Sequence, residues 1–185
     1  TWWHRTYWIY GTHFYAGYIG WFFSGHEAPG GRIMARDDST IYGYSYRPEY
    51  YRGRRGRKYH LFAAPIEGQP EQRPYDYDRS RRAYPKAWKV KYDWSATVPA
   101  LGRALVLAGD RLFLVGPPDN ALESLPAWKG EQGSKLVAVS ASDGEKLRTY
   151  EHQWVPVFDG MAAAGGRLYV STTDGLVVCM SGESD

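Results

Sequence analysis

Residues 155–180 constrain the fold more than any other part of the chain. Small residues lead up to Gly165-Gly166, β-forming residues follow at 167–171, and Asp174-Gly175 precedes a second apolar run. Glycine pairs and Asp-Gly are typical of tight hairpin turns, so the pattern predicts three successive strands, a β-meander. Residues 176–180 are apolar without alternation, which predicts a strand covered on both faces.

Two other segments repeat this plan. Residues 31–44 open with Gly-Arg-apolar and place a polar turn before the next strand, and residues 104–115 carry a Gly-Asp-Arg turn between two apolar runs. The repeats at Gly109 and Gly165 are separated by somewhat more than the roughly 40 to 50 residues usual for repeats that each form one four-stranded sheet. Residues 119–134, rich in Pro, Gly, Glu and Lys, account for the excess as a surface insertion between strands.

The composition favours strands and turns over long helices. The 185 residues include 16 Tyr, 8 Trp and 6 Phe together with 21 Gly and 11 Pro, which fits an all-β chain. A net charge of +3 predicts no general affinity for nucleic acid, and no apolar run is long enough to predict membrane insertion. The one cysteine, Cys179, excludes a disulfide within these residues, and its apolar surroundings predict a buried side chain.

An aromatic stretch occupies residues 2–24 and is interrupted by glycines. Rings packed between sheets are the simpler interpretation, and an exposed platform for sugars, quinones or other flat ligands is the alternative. On that alternative the ligand or partner contacts are Trp2, Trp3, His4, Arg5, Tyr7, Trp8, Tyr10, His13, Tyr15 and Trp21.

Residues 50–91 differ in composition from their surroundings, and only 59–64 have the pattern of a strand. We interpret the rest as a long excursion from a sheet. Arginine with glycine and tyrosine suits a polyanion, but nearby acids dilute the positive field, so a solvated loop is favoured over nucleic-acid binding. The candidate polyanion contacts are Arg52, Arg54, Arg55, Arg57 and Lys58.

The segment from Ala138 to Arg148 follows a repeat motif in degenerate form, with Ser140, Glu145 and Arg148 in place of its Asp, Lys and Trp. Ala138, Asp143 and Gly144 fall on the Ala, Thr and Gly positions of the pattern Ala-x-Asp-x-x-Thr-Gly-Lys-x-x-Trp, and Trp94 matches its Trp in the preceding repeat. This pattern, together with Gly-Arg-Leu-Tyr-Val before an Asp-Gly turn, resembles the pyrrolo-quinoline-quinone-type repeat β-propellers. The resemblance is particularly to the C-terminal ends of large secreted bacterial members, including those of planctomycetes.

The resemblance implies a single, incomplete all-β domain over residues 1–185, a partial β-propeller of four-stranded antiparallel blades with long loop insertions. Its expected parts are an aromatic partial blade at 1–30, a blade at 31–98 with an insertion at about 50–91, a blade at 99–154 with an insertion at about 119–134, and a closing partial blade at 155–185. A ring usually needs about 4 to 8 blades. We therefore expect a C-terminal portion of a longer propeller, or one that another chain completes.

Quinoprotein dehydrogenases of this superfamily hold the quinone in a central channel, commonly beside two adjacent cysteines, with a metal ion and an Asp base. The chain has one cysteine, its Asp37-Asp38 pair falls in a turn, and its five histidines are scattered. We therefore predict no catalytic residue, metal site or cofactor within these residues, and a non-catalytic scaffold or binding module that is secreted, periplasmic or at the cell surface. Two alternatives stay open: a fragment of a quinone- or metal-dependent oxidoreductase whose active site lies in missing sequence, and a glycan-binding module.

Overall fold

The computed structural model describes residues 8–10, 29–46, 59–67, 90–122 and 124–182. The chain divides into two compact units: the first comprises Thr1–Lys58 and Phe62–Trp94, and the second comprises Tyr59–Leu61 and Ser95–Asp185. Many of the predicted contacts lie outside the described residues, namely Trp2, Trp3, His4, Arg5, Tyr7, His13, Tyr15, Trp21, Arg52, Arg54, Arg55, Arg57 and Lys58.

Strands dominate the described residues. In chain order they are β1 (Trp8–Ile9), β2 (Gly30–Gly31), β3 (Ile33–Arg36), β4 (Thr40–Tyr46), β5 (Tyr59–Pro65), β6 (Trp94–Ala96), β7 (Ala104–Ala108), β8 (Arg111–Gly116), β9 (Ser134–Ser140), β10 (Lys146–His152), β11 (Pro156–Ala164), β12 (Arg167–Thr172) and β13 (Val177–Ser181). A 3-10 helix at Asp119–Leu122 and one short α-helix, α1 (Leu125–Lys129), lie between β8 and β9. The all-β prediction is confirmed, as is the strand at 59–64, which is β5.

The strands form sheets of the predicted kind. Two have four strands, in the orders β3-β4-β5-β6 and β7-β8-β9-β10, a third has the order β11-β12-β13, and β1 pairs with β2. The neighbouring strands within β7–β10 and within β11–β13 are antiparallel. At the β11–β12 turn, Gly165 and Gly166 both have positive φ angles, +56° and +73°, which glycine adopts without a Cβ clash. The predicted meander at 155–180 is confirmed.

In the first unit, β4 and β5 meet at a glycine and a phenylalanine. A Cβ atom on Gly43 would lie 2.4 Å from Cζ of Phe62, so the ring occupies the space that a side chain would need. Phe62 also makes an edge-on contact with Tyr92, with ring centres 4.9 Å apart. Tyr44 and Ile41 are fully buried nearby on β4. Glycine at position 43 is therefore part of the core packing.

In the second unit, the β11–β13 sheet packs on the β7–β10 sheet. Val170 forms a buried cluster with Ala104, Val115 and Leu136, against which further apolar side chains pack, namely Phe113, Trp154, Met161, Leu168 and Met180. The first strands of the two sheets, β7 and β11, lie next to each other. The opposite face of the β7–β10 sheet is also buried, at Leu112, Leu114, Val137 and Val139.

The structure corrects two expectations about the C-terminal strand. Leu176 and Val177 are 60% and 67% exposed, and the Cys179 side chain is exposed, so the described residues cover this strand on one face only and do not bury the cysteine. Alternate residues of β13 point to opposite faces of the sheet, and only Val178 and Met180 point towards the β7–β10 sheet and are half-buried.

The repeat at residues 31–44 also sits differently in its sheet from its C-terminal counterpart. β3 and β4 are the first and second strands of their sheet, whereas β12 and β13 are the second and third strands of theirs. The similar Gly-Arg-apolar motifs therefore mark hairpins in different positions. Among the described residues, no helix has the length and apolar character needed to cross a membrane.

Candidate binding surface

Two of the predicted ligand contacts lie within the described residues. Trp8 pairs with Gly31 across the β1–β2 ladder and is 68% exposed. Tyr10 is half-buried, and its backbone N–H donates to the carbonyl oxygen of Pro29 at 2.9 Å. The structure thus places Trp8 in solvent, while the remaining members of this set, from the aromatic stretch, lie outside the described residues.

A different surface is better defined, and it begins with α1. The Oγ atom of Ser124 accepts a hydrogen bond from the N–H of Ala127 at 3.4 Å and so caps the start of the helix. At the other end Gly130 adopts the left-handed conformation, with φ of +88°, and its N–H donates to the carbonyl oxygen of Ala127. Local hydrogen bonds therefore hold both ends of this five-residue helix.

One face of α1 is packed and another is exposed. Ala127 is fully buried against Leu101, and a Cβ atom on Gly130 would lie 2.5 Å from Cγ2 of Val155. Leu125 and Trp128, three residues apart and hence on one side of the helix, are 63% and 46% exposed. The packed face fixes the helix, so its two large apolar side chains are presented to solvent from a rigid base.

Arg103 joins α1 to the neighbouring strands. Its Nη2 atom donates to the carbonyl oxygen of Trp128 at 3.1 Å, and its Nη1 atom donates to that of Pro156 at 3.5 Å. The backbone carbonyl oxygen of Arg103 accepts a hydrogen bond from the N–H of Asp159 at 2.8 Å. One residue therefore connects the last turn of α1, the start of β11 and the segment leading into β7.

Strand β11 is irregular at this junction. Its register with β12 shifts between Pro156 and Met161, which marks a bulge. Asp159, inside the bulge, has a φ of +56°, a conformation that non-glycine residues adopt infrequently. Phe158 is 49% exposed and Asp159 is exposed. The bulge therefore presents an aromatic ring and a carboxylate to solvent, and its backbone is hydrogen-bonded to Arg103.

We call these five residues, Arg103, Leu125, Trp128, Phe158 and Asp159, the α1–β11 surface. Aromatic side chains and arginine contribute a large share of binding energy in protein interfaces, especially where the backbone is already ordered. Sequence reasoning missed this surface because it treated residues 119–134 as a polar insertion. The Ser124 cap, Pro126 near the helix start and Gly130 after its end are the signals that predict α1.

The acidic pair at Asp37-Asp38 has a structural explanation. Asp37 Oδ1 accepts hydrogen bonds from the backbone N–H groups of Ser39 at 2.8 Å and Thr40 at 2.7 Å, and its Oδ2 accepts one from the Tyr42 hydroxyl at 3.1 Å. The Ser39 bond is the main cause of a pKa below the usual value for this carboxyl group. Its carboxylate therefore stabilises the β3–β4 turn.

The two described histidines, His60 and His152, have different neighbours. His60 is buried, with Nδ1 2.7 Å from Oγ of Ser95. His152 stacks on Trp154, with ring centres 4.4 Å apart, and burial lowers the pKa of His152. In the part of the chain that the structure describes, no group of three or more His, Cys, Asp or Glu side chains is placed to hold a metal ion. His4, His13 and His26 lie outside it.

Comparison with known proteins gives no assignment. No protein-family model matches the chain, and no curated protein matches it significantly.

Proposed function

We propose that this chain is a non-catalytic scaffold or binding module of the β-propeller type, working as part of a larger secreted or periplasmic protein or assembly. The observation that carries this proposal is the α1–β11 surface, where Leu125, Trp128 and Phe158 are exposed and Arg103 bonds the carbonyl oxygens of Trp128 and Pro156. Large apolar side chains on an ordered backbone bind a partner with little loss of conformational entropy.

The packing of the second unit supports the propeller architecture. Two successive meanders, β7–β10 and β11–β13, stack face to face through an apolar cluster. Their first strands lie side by side, and the N–H of Asp159 donates to the carbonyl oxygen of Arg103 where they begin. Neighbouring first strands are the arrangement expected around the axis of a propeller. The repeat motif at Ala138 to Gly144 is consistent with the quinoprotein-like type.

The test is a comparison of two matched double variants. The wild-type chain is isolated from its native host with its binding partners, and the recovered partner is then purified and titrated against each variant by calorimetry. Leu125→Ser with Trp128→Ser should weaken binding at least tenfold. Leu147→Ser with Tyr150→Ser removes similar exposed side chains of β10 and should leave binding unchanged.

Other outcomes would replace the proposal. Equal binding by both variants would show that the α1–β11 surface is not the binding site. A quinone absorbance band in protein purified from its own source would favour the oxidoreductase alternative. Glycan binding that survives the Leu125→Ser and Trp128→Ser changes would favour a glycan-binding module.

A further inference from the structure

The outer face of the β11–β13 sheet is a second surface with a defined chemistry. Residues that alternate with the buried ones lie on this face, namely Ala162, Ala164, Arg167, Tyr169, Ser171, Val177, Cys179 and Ser181. Most are exposed, and Arg167 is the one charged side chain among them. The inner face, with Val170 and Met180, packs on the β7–β10 sheet instead. Among the described residues, the inner face of this sheet is therefore covered by the β7–β10 sheet, and the outer face is open to solvent.

The second and third strands of the two sheets in the second unit correspond residue by residue. Each has a hairpin from its first to its second strand that ends on an arginine, Arg111 in β8 and Arg167 in β12. Counting from these arginines, the residue pairs between the second and third strands match in the same order. The pairs Arg111–Ser140, Phe113–Ala138 and Val115–Leu136 correspond to Arg167–Ser181, Tyr169–Cys179 and Ser171–Val177.

This correspondence identifies what covers the equivalent face in the preceding sheet. Val115 and Leu136 pack against Val170, and Phe113 packs at the edge of the same cluster. The cover is thus an antiparallel sheet that presents Leu168, Val170, Met161 and Met180. Tyr169, Ser171 and Val177 occupy the matching positions on the outer face and meet no such layer among the described residues.

The area of the outer face limits the kind of partner. Three strands with about five residues each cover roughly 250 Å², from strand spacings of about 4.8 Å and a rise of about 3.3 Å per residue. Stable complexes between separate proteins bury about 800 Å² per partner. A separate protein held by this face alone would bind weakly, whereas a layer linked covalently to the chain needs no such area.

We propose that the outer face of β11–β13 is covered by a further antiparallel sheet, part of the same longer polypeptide, which presents Leu, Val and Met side chains to Tyr169, Ser171 and Val177. The inference rests on the proposed propeller scaffold and names its assembly surface. The cover packs as β11–β13 packs on β7–β10. It also offers hydrogen-bond partners at Tyr169 and Ser171, where the preceding sheet has Phe113 and Val115.

Cys179 reports directly on the cover, since its side chain is exposed in this chain and lies opposite Tyr169. Maleimide labelling is followed by mass spectrometry on the protein as its native cell makes it, first folded and then in denaturant. We expect Cys179 to label at least tenfold more slowly in the folded protein than in denaturant. Ser142→Cys, in an exposed turn, combined with Cys179→Ser, should label at one rate in both.

A cross-link identifies the cover. p-Benzoylphenylalanine at position 177 in the native protein should give an intramolecular product with a peptide rich in Leu, Val and Met. A product joining two copies, a product with a different polypeptide, or equal labelling of Cys179 in both samples would overturn the inference. Fast labelling of Cys179 together with intact binding at the α1–β11 surface would overturn this inference but not the proposed function. Slow labelling of Cys179 in a protein that holds a bound quinone would overturn the proposed function but not this inference.

Discussion

At the scale of single residues, burial and close packing determine which side chains tolerate change. His152 is stacked on Trp154, and its Nε2 atom is buried with no hydrogen-bond partner among the described residues. Gly43 lies under the ring of Phe62. Neither role follows from the residue type, because a histidine in a strand and a glycine in a strand each have several common explanations.

His152 should make the stability of the chain depend on pH. Burial lowers its pKa in the folded state, so the unfolded state binds the proton more readily near the ordinary pKa of about 6.5. The free energy of unfolding should therefore keep its full value above that pH. It should fall as the pH drops from about 6.5 towards the lower pKa of His152 in the folded state. His152→Phe keeps a ring against Trp154 but does not titrate. Urea denaturation between pH 5 and 8 should show a smaller change in the free energy of unfolding for this variant than for the wild type. An identical change in the two proteins would show that His152 is not the source of the pH dependence.

Gly43→Ala should destabilise the chain by about 1–3 kcal/mol, because the added methyl group meets the Phe62 ring at 2.4 Å and the ring must move. The control is Gly182→Ala, where a Cβ atom has no neighbour within 4 Å. Chemical denaturation measures both. A similar midpoint for Gly43→Ala and wild type would mean that Phe62 relaxes without loss of contacts.

At the scale of elements, α1 shows how a short helix depends on distant residues. Its caps are local, but its position relies on Arg103, whose guanidinium reaches the carbonyl oxygens of Trp128 and Pro156. Five residues are too few for a stable helix in isolation, so these contacts and the burial of Ala127 hold it.

Arg103→Met keeps most of the aliphatic stem and removes the donors. We expect a loss of about 1–2 kcal/mol in the free energy of unfolding, since hydrogen bonds from a charged group contribute more than neutral ones and this side chain is half-buried. The matched control is Arg111→Met, whose side chain is exposed and lies 3.7 Å from Asp110. Its effect should stay within about 0.5 kcal/mol. Equal losses in the two variants would show that the Arg103 contacts do not hold α1.

At the scale of the whole molecule, the sequence predicts the features that nearby residues determine. The Gly165-Gly166 turn, the three-stranded meander and the strand at Tyr59–Pro65 follow from turn residues and apolar runs. The α1–β11 surface does not, because Arg103 meets residues 25 and 53 positions away. The exposure of Cys179 was mispredicted for a related reason: a strand pattern records its apolar residues but not which face has a neighbour.

The asymmetry of the β11–β13 sheet gives a last prediction about these 185 residues. Val170 is fully buried between the two sheets, and Val177 is exposed on the outer face. Val170→Ala should cost about 1.5–3 kcal/mol, because it removes buried methyl groups and leaves a cavity, whereas Val177→Ala should cost less than about 0.5 kcal/mol. Thermal and urea denaturation of both variants would test this difference. A large cost for Val177→Ala in the chain alone, and one that grows with protein concentration, would mean that a second copy covers the outer face, because only a bimolecular contact depends on concentration in this way.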